Sequence, residues 1–125
     1  MTIAQTTLLL SLLALIVTKI ADIVTTVRGL RRSGIAGERN PLARRAMERW
    51  AVGGGIGMIM VLWGVVVAVC YGPAFFAPEW YQWATAAGGF LIAWAQWDVA
   101  RYNASRRHSW FTRLATVFFT RFRQP

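Results

Sequence analysis

Apolar residues fall in three long runs, roughly residues 6–27, 51–71 and 80–100, with polar residues gathered between and after them. A helix rises 1.5 Å per residue, so each run makes a rod of about 30 Å, enough to cross the hydrocarbon core of a bilayer. The pattern predicts an all-α, polytopic membrane fold with three transmembrane helices. The chain is short enough for a single membrane domain, residues 1–125. The first run is almost wholly aliphatic from Leu8 to Val17, and then its character changes. Lys19, Asp22 and Thr26 recur at i, i+3 and i+7, and Thr18, Asp22 and Thr25 at i, i+4 and i+7. Both series lie on one helical stripe centred on Asp22. Ionisable groups at membrane depth are costly and need a partner or a function. A Lys19–Asp22 pair accounts for the two charges but not for the threonines. An inward-facing polar site accounts for both.

Residues 28–40 read as a loop, broken by Gly29, Ser33, Gly34 and Gly37 and carrying four arginines. The tetrapeptide Glu38-Arg39-Asn40-Pro41 ends it. Asn40 is a good helix N-cap, and Pro41 suits the first helical position. Glu38 is left to face either the helix start or Arg28 and Arg101. Residues 41–50 form an amphipathic segment with Leu42, Ala46 and Trp50 at i, i+4 and i+8. It is expected to lie in the headgroup region or to continue straight into the second span. That span carries Gly53, Gly57, Gly64 and Ala68 on one face, which allows close approach of a neighbouring helix. Gly53-Gly54-Gly55 also offers a hinge. Residues 71–80 form an outer loop with Phe75, Phe76, Trp80, Tyr81 and Trp83 as an interfacial aromatic belt. The third span has a small-residue face of Ala86, Gly89, Ala93, Gln96 and Ala100, expected to complement the glycines of the second. Its other side carries Trp94, Asp98 and Arg101, the last two spaced for an i, i+3 ion pair. Residues 109–122 read as a basic amphipathic helix lying on the membrane surface or against a partner.

Charge fixes the expected orientation. The net charge is +9, from 14 Lys and Arg against 5 Asp and Glu. Thirteen of these cations are arginines in residues 28–49 and 101–123, all beside the same ends of the apolar runs. The positive-inside rule then puts the N-terminus outside, and the basic loop and tail in the cytoplasm, of a bacterial inner membrane. The same clustering argues against nucleic acid, because no basic-aromatic surface stands apart from the membrane runs. The expected partners are anionic membrane lipids, a second copy of the chain, or another membrane protein. The first residues lack the basic stretch of a cleavable signal, so the first run is expected to be retained. One cysteine, Cys70, and one histidine, His108, exclude an internal disulfide and a Cys/His metal site within one chain.

The candidate polar cluster is Lys19, Asp22, Thr25, Thr26, Arg28, Glu38, Asn40, Asp98, Arg101 and Asn103, at the cytoplasmic end. The expected packing positions are Gly53, Gly57, Gly64, Gly89 and Ala93. Asp22 and Asp98 share one depth, and Glu38 lies on the same side, so these three are the acids expected to share a location. If they converge, they offer oxygens for Mg²⁺ beside a lipid phosphate held by Arg28 and Arg101. No cofactor is specified, and no catalytic motif of known spacing is present. Asp22-x-x-Thr25-Thr26 followed by Glu38-x-Asn40-Pro41 resembles small bacterial and archaeal multi-pass membrane proteins of uncharacterised function. That resemblance implies a helical membrane fold with a polar site and implies no activity. The three-span topology with a basic tail also resembles that of phage holins, which implies an oligomeric pore. The expected function is an accessory or interaction role, binding a protein partner or lipid headgroup through the polar cluster. The alternatives are a membrane-embedded enzyme acting on a phospholipid or lipid phosphate, and a holin-like pore former.

Overall fold

The computed structural model describes residues 1–38, 40–105, 107, 109, 110, 113, 114 and 117. Among these residues it is all helical: α1 (Ile3–Ser33), a short 3-10 turn (Ile35–Gly37), α2 (Pro41–Ala74) and α3 (Glu79–Ser105). Most of the predicted tail helix, including Phe111, Phe118, Phe122, Arg121 and Arg123, lies outside the described residues, as do Arg39 and His108.

Local chemistry sets the ends of these helices. Thr2 Oγ1 accepts from Gln5 N at 3.2 Å, and Gln5 Oε1 accepts from Thr2 N at 2.9 Å, a reciprocal cap that starts α1. The helix does not stop at Arg28 but runs on to Ser33. One internal glycine, Gly29, costs only about 1 kcal/mol and does not break it. The stop comes at Gly34, which takes φ 66° and donates its N–H to Leu30 O at 2.8 Å. Asn40 caps α2 by accepting from Leu42 N at 3.0 Å and Ala43 N at 3.3 Å, with Pro41 following.

The segment 41–50 neither lies apart as a surface helix nor runs straight into the next span. The chain turns a corner inside α2, at Trp50 (φ −122°, ψ 19°) and Ala51 (φ 59°, ψ 174°). The turn brings Met47 back against Gly55, where a Cβ would stand 2.7 Å from the Met47 backbone nitrogen. The face buried is therefore Ala43, Ala46 and Met47, while Leu42 and Trp50 stay exposed.

α1 and α3 pair closely and run parallel. Ser11 lies beside Gly89, Thr18 bonds to Gln96, and Thr26 to Asn103, at sequence separations of 77 or 78 for the bonded pairs. Ser11, Thr18 and Thr25 recur every seventh residue on α1, as do Gly89, Gln96 and Asn103 on α3. This is the spacing of two helices that keep one seam in contact. The later part of α2 crosses them antiparallel, with Phe75 beside Gln5 and Tyr71 beside Ser11. Leu8, Leu15, Tyr71, Ala74, Ala86 and Ala93 make the buried core, with Trp63, Val67 and Phe75 against it.

The expected pairing of small faces is therefore corrected. Gly89 and Ala93 sit in the seam with α1, not against the glycines of α2. Gly53, Gly57 and Gly64 face open space, with nothing within 4 Å of where a Cβ would stand. All three helices are long enough to cross a membrane, but only α1 and α2 are apolar enough by composition. α1 and α2 contain 18-residue windows of mean hydropathy 2.2 and 2.3, whereas α3 does not reach that class. Its bulk is carried by Trp83, Trp94, Trp97 and Tyr81, which score low on a hydropathy scale, and Gln82, Gln96 and Asp98 lower it further.

Candidate functional site

Polar side chains run down the middle of the bundle in layers. In the first, Ser11 Oγ donates to Leu8 O at 2.8 Å, so the Tyr71 hydroxyl is the donor in the 2.9 Å bond between Tyr71 and Ser11. Tyr71 lies over Gly89, and any Cβ there would overlap its hydroxyl. In the second, the Gln96 carboxamide joins three helices. Its nitrogen donates to Thr18 Oγ1 at 2.9 Å and Leu15 O at 3.3 Å, and its oxygen accepts from Trp63 Nε1 at 3.2 Å. The Thr18 hydroxyl donates in turn to Ala14 O at 2.8 Å.

Lys19 Nζ lies 3.1 Å from Asp22 Oδ2, with side chains only 13 % and 20 % exposed. By the parallel register Asp22 falls on the seam, level with Ala100. Thr25 Oγ1 donates back to Ala21 O at 2.9 Å and Asp22 O at 3.0 Å. Thr26 Oγ1 accepts from Asn103 Nδ2 at 3.4 Å. Just beyond, an open cleft is lined by Thr25, Arg28, Gly29, Arg32, Asn103 and Ala104.

The remaining candidates go elsewhere. Glu38 Oε1 accepts from Asn40 N at 2.9 Å, so both serve the start of α2. Asp98 is buried but accepts from the Ser109 hydroxyl, and no Asp98–Arg101 ion pair forms among the described residues. Arg101 is exposed. Asp98 stands two residues from both Gln96 and Ala100, about 200° around the helix, so it points away from the α1 seam. The strip it belongs to is covered by the following chain, where Trp110 lies 5.7 Å from Trp94 between ring centroids. Asp22 and Asp98 share a depth but not a face. Among the described residues no three acids, cysteines or histidines gather where they could hold a metal ion.

The predicted cluster thus divides. Thr25, Thr26, Arg28 and Asn103 come together; Lys19 and Asp22 pair beside them; Glu38 with Asn40, Asp98 and Arg101 serve separate places. Ser11, Gly29, Arg32, Trp63 and Tyr71 lie outside the predicted cluster, which draws on the polar stripe of residues 18–28 and the ends of the neighbouring elements. The seven-residue recurrence of Ser11, Thr18 and Thr25, matched on α3, is the signal that reaches the first of them.

These features define a class: a three-helix bundle with a polar seam and an apolar exterior, two of whose helices are long and apolar enough to cross a membrane. Within that class, the chain belongs to the DUF5658 family, described as a domain of unknown function, whose model matches residues 13–97. The match takes in Asp22, Glu38, Asn40 and the Thr18–Gln96 contact of the α1–α3 seam, begins after Ser11 and ends before Asp98. No curated protein and no solved structure matches the chain.

Proposed function

We propose that this chain is an integral protein of the bacterial inner membrane that crosses the bilayer three times, N-terminus outside, and acts there as an accessory binding protein. The carrying observation is the amount of apolar helix surface that faces outward. Only 17 % and 6 % of the apolar windows of α1 and α2 are buried. Leu10, Leu13, Val17 and Ile20 on α1, and Val61, Val65, Val66 and Val69 on α2, are all at least half exposed. Beside a small core of Leu8, Leu15, Tyr71 and three alanines, the interior holds Ser11, Thr18, Gln96 and the Lys19–Asp22 pair. In water this arrangement would leave a large apolar surface uncovered; in lipid it leaves little polar surface uncovered. α3 is the third span because it runs parallel to α1 along most of its length, so both begin on one side and end on the other.

The binding role rests on charge and on the division of the acids. Among the described residues, Arg28, Arg31, Arg32 and Arg101 lie at the end of the bundle where the polar seam opens. A lipid-modifying enzyme built on Asp22, Glu38 and Asp98 would need them to share a ligand, and each has its own partner. Anionic lipid is the partner that the arginines favour. The open glycine face of α2 leaves room for a second copy or another membrane helix.

Cysteine labelling tests the topology. With Cys70→Ala as background, Phe76→Cys, in the turn before α3, reacts with a membrane-impermeant maleimide in intact spheroplasts. Ala36→Cys, in the turn before α2, and Arg107→Cys, after α3, react only after permeabilisation, and labelling of Arg107→Cys from outside would mean that α3 does not cross. Labelling of both Phe76→Cys and Ala36→Cys from the outside would remove the three-span reading.

A further inference from the structure

We propose that the cleft over Gly29 is a binding site for the phosphate of an anionic membrane lipid. This rests on the membrane reading above. The cleft exists because the two parallel helices end at different heights. In their register Ser105, the last residue of α3, sits beside Val27, so about six residues of α1 overhang it, about 9 Å at the helical rise. Thr25, Arg28, Gly29 and Arg32 lie on one stripe of that overhang, at i, i+3, i+4 and i+7. Asn103 and Ala104 form the opposite wall.

Three observations point to an anion there. First, Arg28 and Arg32 are like charges one turn apart, an arrangement that destabilises a helix slightly. Both are exposed, and neither has a carboxylate partner among the described residues. Arg32 is also placed to complement the C-terminal end of the α1 dipole, but Arg28 lies more than a turn earlier, where that effect has faded. Second, Gly29 has no packing reason to be glycine. Nothing lies within 4 Å of where its Cβ would stand, and an alanine would make a better helix. Its missing side chain is the floor of the cleft between the two arginines. Third, Asn103 uses one N–H on Thr26 through a long 3.4 Å bond, which leaves its second amide hydrogen for a ligand. Two guanidinium forks and an amide donor around a shallow open floor suit a phosphate, which accepts several charge-assisted hydrogen bonds at once. The site lies at the end of two long helices, at headgroup level, so a lipid delivers its phosphate there with its acyl chains along the apolar faces of the bundle.

Native mass spectrometry from vesicles of phosphatidylcholine with phosphatidylglycerol reads the retained lipid. Wild type retains phosphatidylglycerol. Arg28→Gln with Arg32→Gln lowers its apparent affinity about tenfold, a modest loss for two charge-assisted contacts. Gly29→Leu does the same with no change of charge, because it fills the floor, and it is expected to fold because leucine is the stronger helix former. Arg45→Gln with Arg49→Gln removes equal charge outside the cleft and leaves retention within about twofold. An equal loss in that control pair, or full retention in Gly29→Leu, overturns the site in favour of diffuse surface charge. Displacement of the lipid by inorganic phosphate at equal concentration overturns the lipid assignment and makes the ligand a soluble phosphate. Alkaline carbonate extraction of the same vesicles keeps the two readings separate: wild-type protein released into the wash defeats the membrane reading itself, whatever the variants do.

Discussion

Gly89 illustrates how much one position holds at the residue scale. The Tyr71 hydroxyl and Ser11 close over it, bonded to one another, so three helices meet at a position with no room for a Cβ. Gly88, next along the same helix, faces open space. The two positions make an internal comparison. Gly89→Ala forces Tyr71 off Ser11 and is expected to cost about 1–3 kcal/mol through overpacking. Gly88→Ala improves helix propensity and is expected to be neutral or slightly stabilising. Unfolding in mixed detergent checks the difference, and equal behaviour would mean that α2 does not seat Tyr71 on the α1–α3 seam. The same scale explains why Asp22 and Asp98 differ in role. One lies in the seam with Lys19 beside it; the other lies on the far side of α3 beneath Ser109.

At the element scale the corner in α2 is the feature with the clearest energetic signature. Ala51 adopts φ 59° with ψ 174°, a region that is essentially reserved for glycine and costs an alanine on the order of 1–3 kcal/mol. Ala51→Gly removes that strain and is expected to raise stability by about 1 kcal/mol after the greater entropy of a glycine chain is deducted. A drop in stability on that change, measured by the same detergent unfolding, would argue that the helix is straight there. The corner also shows where sequence reasoning stops. The Asn40-Pro41 start, the three apolar runs and the polar stripe on α1 are legible because each follows from local chemistry or from period. The triple glycine marks a hinge region, yet the break sits two residues earlier, because any of several residues can absorb the turn once Gly54 and Gly55 allow Trp50 and Met47 to approach. Periodicity also tells which residues share a face, not which face meets which helix. Gly57 and Gly64 on α2 and Gly89 and Ala93 on α3 look complementary in sequence, yet α3 gives its small face to α1. The loss of the expected Asp98–Arg101 pair has a similar origin. Spacing permits it, and the return of the chain at Ser109 and Trp110 supplies another partner that no local pattern announces.

At the scale of the whole molecule, a polar seam runs through the bundle and most of the described arginines lie toward one end. Helices with leucine and valine outside, hydroxyls and amides along the seam, and Arg28, Arg31, Arg32 and Arg101 at its end make one arrangement that suits a bilayer. The central claim is that α1 and α3 lie parallel within the membrane with the polar seam between them, and oxidative cross-linking in washed membranes tests it most directly. In a Cys70→Ala background, Leu15→Cys with Ala93→Cys puts two thiols in the same buried cluster, at the same level of the α1–α3 seam by the register of Thr18 with Gln96. Asp22→Cys with Asp98→Cys puts two at a similar depth but with one facing away from the other helix. The first pair is predicted to cross-link rapidly within one chain, and the second to stay reduced. Cross-linking of Asp22→Cys with Asp98→Cys in preference to the seam pair would contradict the register, the division of the acids and the cleft built upon them.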